Sequence, residues 1–569
     1  MLNRFFFIQN TSKSSIKRAV TFSVKEWFLD PEDDFTDKEV DPLAYMTVKI
    51  DGVEQLTNAS GQTIFNLAPG EHTYEVYDMV RYLTTRKGTV TVVDAAVAVD
   101  VKIYACLYTP AQVDNLINPP LWEAGTYDQG WQVEHNSVIY QASVETSETP
   151  GVGDDWVVSS KYIPVATATE LDGLRNATDR RMGQGTVHDT VSDVTTGLDK
   201  NYVQVNNIDA ENAEILRLTL SGSAVYDGNE LLMKNITQNG TGDTKNGLFL
   251  VDTNNILKNV RASEISITNT NVSTTGILCA INRGLIENCW VYSDITSTQN
   301  QIGGIAGINQ SGGKITNSDY IGTITGVDYV GGIVGIIESN STIELCNVDA
   351  TIISSGFRTG GITGGSSAVI NSLNIKNNQI KVAISGSERQ LGGIIGGCFS
   401  TSGSIEKNSI SGSIESTYTL DARSGGAIGF VTRAIPISNN SCDVNINIPN
   451  GRYVGGFIGD ATGGAGQSTS ITNSYSVGSV TGGADVGGFC GKNTGTITNS
   501  YYDSQTSGQS DTGKGLPRTT AQLKNGTADS FINPDGTPDL TEDPANAMFT
   551  GWDDLIWDFT DNTKYPELI

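Results

Sequence analysis

The chain has 569 residues, a formal net charge of -27, 64 glycines and only 17% charged residues. That length exceeds one ordinary domain, and so acidic a surface repels nucleic acid and anionic lipid. Gly, Asn, Ser and Thr are abundant and helix formers scarce. This excludes a mainly helical protein and predicts short β-strands joined by turns, because Gly and Asn reach positive φ cheaply while Ile, Val and Thr fit a pleated surface.

The opening MLNRFFFIQNTSK has a four-residue apolar run. A secretory signal needs ~7–15 apolar residues, and a membrane span ~18. Neither the usual export signal nor membrane insertion is expected. Residues 1–105 read as a β-sandwich-like module. TVKIDGVEQLTNASGQTIFNLAPGEHTYEVYD alternates apolar and polar residues between turn signals at Asp51-Gly52 and Pro69-Gly70, and GTVTVVDAAVAVDVKIYA adds one or two strands. The acidic stretch DPEDDFTDKEVD at 30–41 lacks the ordered ligand spacing of a calcium loop and reads as a solvated loop.

Residues 106–164 hold an aromatic cluster: Trp122, Tyr127, Trp131, Tyr140, Trp156 and Tyr162. AGTYDQGWQVEHNSVIYQASVETSETPGVGDDWV resembles the short chitin- or cellulose-binding modules, and also small modules appended to some phage tail proteins. The resemblance makes Trp131, Tyr140 and Trp156 candidate carbohydrate-binding residues, since a flat ring stacks on the C–H face of a sugar. The same rings can instead form the core of a very small domain. Residues 165–204 are polar, with a short helical phrase, ATELDGLRNATDRRM, and are expected to be a linker or entry segment.

From residue 205 to 505 a phrase recurs: IGGIAG, VGGIVG, LGGIIG, VGGFIG, VGGFCG. Its aligned glycines are Gly247, Gly276, Gly304, Gly332, Gly361, Gly393, Gly426, Gly456 and Gly488, at intervals of 28 to 33 residues. A second phrase, of the ITNS type, brings Asn288, Asn317, Asn371, Asn408, Asn473 and Asn499 to comparable places, with Asn440 joining them. About nine units of near-constant period predict a solenoid in which each unit is one coil and stacked coils bury a continuous core. A right-handed parallel β-helix is the expected architecture. Its glycines permit positive φ or close backbone approach, and its corner asparagines bond one another. The seven cysteines are odd in number and form no CxxC pair, so they read as small buried fillers and not as disulfides or zinc ligands. No metal or other cofactor is expected.

VGGIVG, the pairing of VGGFCG with TITNSYYD, and the lead-in VYDGNELLMKNIT resemble the GLUG-repeat adhesins of bacteria. The closing segments NSYYDSQTSGQSDTGKGLPRTTAQLKN and FTGWDDLIWDFTDNTKYPELI are similar to that family's ending. Residues 506–569 are accordingly expected to be a cap, with Trp552, Trp557 and Tyr565 covering the exposed strand edges of the last coil.

Catalysis is not expected. Asp294, Asp319, Asp328, Glu344 and Asp349 are scattered, and His72, His135 and His188 all precede the array, so no Ser-His-Asp triad can form within it. The layout resembles that of a phage tail spike or fibre, and the expected role is attachment. The first module would fix it to other tail proteins of the virion, and the aromatic module and solenoid would face a host cell-surface glycan. By analogy with tail spikes of this architecture the chain would be a homotrimer. A bacterial cell-surface adhesin and a tail-borne polysaccharide depolymerase are the alternatives.

Overall fold

The computed structural model describes residues 17–569 apart from 31–35, 45, 78–85, 94, 105–107, 109, 130, 137, 151–154, 160–161, 175–199, 239–244, 268–272, 367, 388, 463–468 and 513. Cys106, His188 and the centre of the acidic stretch therefore lie outside the described residues. The chain forms two compact units, Met1–Lys161 and Tyr162–Ile569.

In the first unit, two four-stranded sheets enclose one apolar cluster. The alternation of TVKI and TIFNL becomes alternating burial, which places Val48, Ile50 and Phe65 inside with Phe22 and Val101. Thr47–Ile50 and Val53–Leu56 are joined by Asp51 and Gly52, both at positive φ, as a two-residue hairpin turn requires. Gln62–Leu67 and Gly70–Tyr77 lie in different sheets, so the turn at Pro69-Gly70 carries the chain from one layer to the other. The acidic Thr36–Pro42, expected as loop, is a strand paired antiparallel with Arg18–Asp30. The later part of this unit is the aromatic module: a helix, Pro110–Ile117, and an antiparallel sheet of Gln132–His135, Val138–Ala142 and Trp156–Ser159.

The second unit is a parallel β-solenoid. Its first wall stacks twelve strands, from Tyr162–Val165 to Thr496–Thr498. The third wall stacks ten, from Leu218–Leu220 to Cys490–Asn493, and a bent second wall lies between them in each coil. At ~4.8 Å per rung, twelve rungs span about 50 Å. The segment expected as a linker contributes here. Tyr162–Val165 and Asn201–Gln204 are the first two rungs, and the helix Ala168–Gly173, closed by a Thr167/Glu170 capping box, buries Leu171 at the start of the core.

The glycine phrase is explained by register. Ile302-Gly303, Val330-Gly331, Thr359-Gly360 and Leu391-Gly392 stack as successive rungs. The following glycines, Gly304, Gly332, Gly361, Gly393, Gly426, Gly456 and Gly488, form the next column. A Cβ on any of the first six would overlap the carbonyl oxygen of the next glycine in that column, and one on Gly488 would enter the Tyr502 ring. Amides bond along the same column, Gly332 N to Gly361 O at 2.9 Å and Gly393 N to Gly426 O at 2.8 Å. Close approach is thus what selects glycine, and none of the seven has a left-handed φ. Positive φ falls instead on the residue two places before each first glycine: Gln301, Tyr329, Arg358, Gln390, Arg423, Tyr453 and Asp485. Gly247 and Gly276 belong to the first-glycine column, one residue from where the spacing aligned them. The residue after each pair points inward, and Ile305, Ile333, Ile362, Ile394, Ala427, Phe457 and Phe489 are all fully buried.

The asparagines fall into two columns. At the corner, Asn259, Asn288, Asn317, Asn377, Asn439, Asn473 and Asn499 occupy left-handed positions that asparagine tolerates. Asn288 Nδ2 donates to Asn259 Oδ1 at 2.8 Å, and Asn317 Nδ2 to Asn288 Oδ1 at 3.2 Å. Asn371 is not in this column; pairing of Leu373–Lys376 with Ser341–Glu344 and Gly403–Glu406 puts Asn377 there. Asn408 and Asn440 stand one residue further on, in a buried column with Asn378, Ser474 and Ser500. Asn378 Nδ2 donates to Asn408 Oδ1 at 2.8 Å, and Asn408 Nδ2 to Asn440 Oδ1 at 2.9 Å and to Ile375 O at 3.1 Å. Asn408→Ala is expected to cost about 2 kcal/mol, because carbonyls buried between walls lose their donor. Faster amide exchange at the Ile375 and Ile405 rungs would register it.

Cys289 and Cys346 occupy that same inner column, and all six described cysteines are buried and unpaired. Burial pushes the Cys279, Cys289, Cys346 and Cys490 thiols up to about 12 and Cys398 to about 11. These thiols should stay silent to Ellman's reagent in the native protein and react only on unfolding.

Candidate functional site

In four consecutive coils the second wall opens with an eight-residue strand: Asp319–Gly326, Asn347–Ser354, Gln379–Gly386 and Ser409–Ser416. Alternation sends Tyr320, Val348, Ile380 and Ile410 inward. The outward positions stack as Asp319, Asn347, Gln379, Ser409, Ser441 and Tyr475, and as Ile321, Asp349, Lys381, Ser411 and Asp443. These columns floor a shallow depression of about 200 Å³ at Asp319–Ser411, continuous through Gln379, Ser409 and Ser411 with a groove of about 490 Å³. The C-terminal tail supplies that groove's other side with Lys524, Lys564, Tyr565 and Glu567.

Hydroxyls, amides and ionic groups dominate this face. Ser441 Oγ bonds Ser409 Oγ at 3.1 Å, and Lys381 Nζ lies 2.8 Å from Asp349 Oδ2. Asp319 accepts from Asn347 N at 3.1 Å and Nδ2 at 2.9 Å, yet burial raises its pKa; burial raises Asp443 as well. The rung spacing of ~4.8 Å is close to the rise of one pyranose along an extended glycan. Asp319 and Asp443 stand four rungs apart, ~19 Å, which exceeds the ~6.5–9.5 Å between the acid and base of an inverting glycosidase.

Of the aromatic module's candidates, Trp156 is only 5% exposed. Its indole Nε1 donates to Glu148 O at 2.9 Å and its ring meets Tyr127 edge-on at 5.5 Å. With Val133 and Ala142 it is the module's core, so it has no face left for a sugar. Trp131 and Tyr140 pack against this core but remain half-buried.

The closing aromatics form a separate cluster with Tyr475 and Tyr501 on the flank of the last coils. Trp552 Nε1 donates to Asn499 O at 2.9 Å, Trp557 Nε1 reaches Asn439 Oδ1 at 3.4 Å, and Asn473 Nδ2 donates to Gly551 O at 3.2 Å. The last three corner asparagines are therefore where the tail docks. Tyr565 OH donates to Asp503 Oδ2 at 2.9 Å. The open end of the core is met by a different segment. Asp511 Oδ1 accepts from Gly488 N at 2.9 Å, Lys514 Nζ donates to Gly491 O at 2.7 Å, and Leu516–Arg518 pairs with Tyr501–Asp503.

Of the groove floor, only Asp319 and Asp349 stand out in the sequence, and those only as scattered acids. The available signal is the outward parity of the strand after each ITNS corner, which becomes readable only once register is known.

No family model and no curated protein matches the chain. Among solved structures, the chain is similar to the crystal structure of a "putative immunoglobulin A1 protease" from Bacteroides ovatus, at 16% identity and a TM-score of 0.33. The match covers 72% of this chain and 92% of that one. At that likeness neither fold nor activity transfers.

Proposed function

We propose that this chain is an attachment protein of the phage tail spike or fibre kind, whose solenoid binds a host surface glycan along the second-wall groove. The observation that carries the glycan reading is the groove itself: stacked Gln379, Ser409 and Ser441, with Ser411 in the adjoining column, offer hydroxyl and amide groups at rung spacing, beside a wall of Lys524, Lys564 and Tyr565. Sugars are recognised by such dense, directional polar groups next to ring faces. Half-buried Trp131 and Tyr140 offer the aromatic module's remaining ring faces to the same ligand class. The GLUG-like phrases favour the second reading, a bacterial surface adhesin using the same groove.

The full chain screened on immobilised bacterial surface glycans should retain at least one, and Ser411→Trp, which fills the groove from an outward position, should abolish that retention without altering thermal unfolding. Retention unchanged in Ser411→Trp would overturn the groove assignment. Mass spectrometry of purified virions separates the two readings, since only the tail protein copurifies. Release of oligosaccharides from a retained glycan would mark it as a depolymerase.

A further inference from the structure

A second feature lies on the opposite margin of the second wall, at the left-handed column before the glycine pairs. Here side chains run out over the third wall, where Gly365 and Gly397 leave bare backbone. A Cβ on Gly397 would lie 3.2 Å from Arg358 Cδ, so the Arg358 stem lies across that strip. The guanidinium sits 5.1 Å from the Tyr329 ring, 5.3 Å from Phe357 and 4.5 Å from Phe399. Arg389 approaches the same Phe357 ring at 5.7 Å.

The arginine is held from behind. Arg358 Nη1 donates to Tyr329 OH at 2.8 Å and to Ser366 O at 2.7 Å, and Nε to Gln390 Oε1 at 3.1 Å. Nη2 has no partner among the described residues. Neither Arg358 nor Arg389 makes an ion pair among the described residues, whereas the next cations along this margin do: Arg423 with Asp460 at 3.5 Å and Arg452 with Asp485 at 2.7 Å. Asp328, an acid whose charge acts on Arg358, is engaged by Phe357 N at 2.7 Å. Glu388, next to Arg389 in sequence, lies outside the described residues. Burial lowers the Arg358 pKa and the like charge of Arg389 lowers it further, against the opposing pull of Tyr329 and Asp328, so an anion placed between the two arginines would add to that relief.

We propose that Arg358 and Arg389, framed by Tyr329, Phe357 and Phe399, form a binding site for an acidic sugar of the uronate class. Arg358 Nη2 can donate to a carboxylate while the exposed Arg389 presents its guanidinium fork to the same group, and ring faces match the C–H side of a pyranose. The chain's net charge of -27 restricts the ligand further. A continuous polyanion would be repelled, so the fitting glycan carries isolated carboxylates among neutral sugars. This site is independent of the second-wall groove.

Saturation-transfer NMR on the full chain, with glucuronate and glucose as probes, tests the assignment. Glucuronate should show transfer and glucose should not. Arg389→Gln, an exposed change, should weaken glucuronate at least tenfold while leaving the melting temperature in place, and added salt should weaken it too. Equal transfer to both sugars, or unchanged binding in Arg389→Gln, would overturn the proposal. Inorganic sulfate competing as strongly as glucuronate would reduce it to a general anion site and overturn the sugar assignment. Ser411→Trp should leave glucuronate binding intact, so failure here and failure of the groove reading are distinguishable.

Discussion

Gly332→Ala should destabilise the middle coils by about 3 kcal/mol, a large effect for one methyl group. The new Cβ would overlap Gly361 O and stand 2.7 Å from Val348 Cγ1. Neither can retreat cheaply: the carbonyl accepts the Gly332 amide in the rung ladder, and Val348 belongs to the close-packed core. Gly312 supplies the control. It has a φ of 93° and nothing nearer its Cβ position than Asn340 O at 4.0 Å. Gly312→Ala carries only the left-handed penalty, about 1 kcal/mol. Hydrogen exchange at the Val330–Thr363 rungs would read the difference; equal costs at the two sites would mean that backbone conformation, not close approach, selects the repeated glycine. Ile333→Asp, which buries a charge at a fully buried position, should be at least as damaging.

The second large effect is expected at the tail. Trp552 is 4% exposed and packs on Trp557 at 4.5 Å, Phe549 at 4.7 Å and Tyr501 at 6.0 Å. Trp552→Ala removes the centre of that cluster and the hydrogen bond to Asn499, at a cost of about 3–5 kcal/mol. A solenoid's rungs contact only their neighbours, so the loss should stay local. Amide protection should fall at Tyr475–Ser476 and Tyr501–Asp503 and hold at Val330–Ile337. Uniform loss along the array would refute a local docking role. The freed flank also exposes Tyr475 and Tyr501, so the variant should self-associate more readily than the parent.

The sequence carried the repeat clearly because a solenoid writes its geometry into a period. Each coil must return to the same place, so glycine pairs, inward isoleucines and ITNS corners recur at fixed intervals. What spacing could not resolve was register, by one residue at the early glycines and by six at one asparagine. Gly247 and Gly276 fell into the neighbouring column, and Asn371 was aligned where Asn377 stands, because coils differ in loop length and only strand pairing fixes register. Trp156 shows the same limit in another form: a tryptophan in a sugar-module pattern reads identically whether its ring faces solvent or forms the core.

The sequence by itself determined the class of fold, the stacked-coil plan and the identity of the inward residues, since each comes from local chemistry repeated. Only the tertiary structure decided that glycine answers to a carbonyl one coil away, that the closing tryptophans dock on corner asparagines, and that Arg358 and Arg389 meet over one ring. Residues some thirty positions apart become neighbours at ~4.8 Å, and that adjacency is set by rung pairing, which no local stretch of the chain contains.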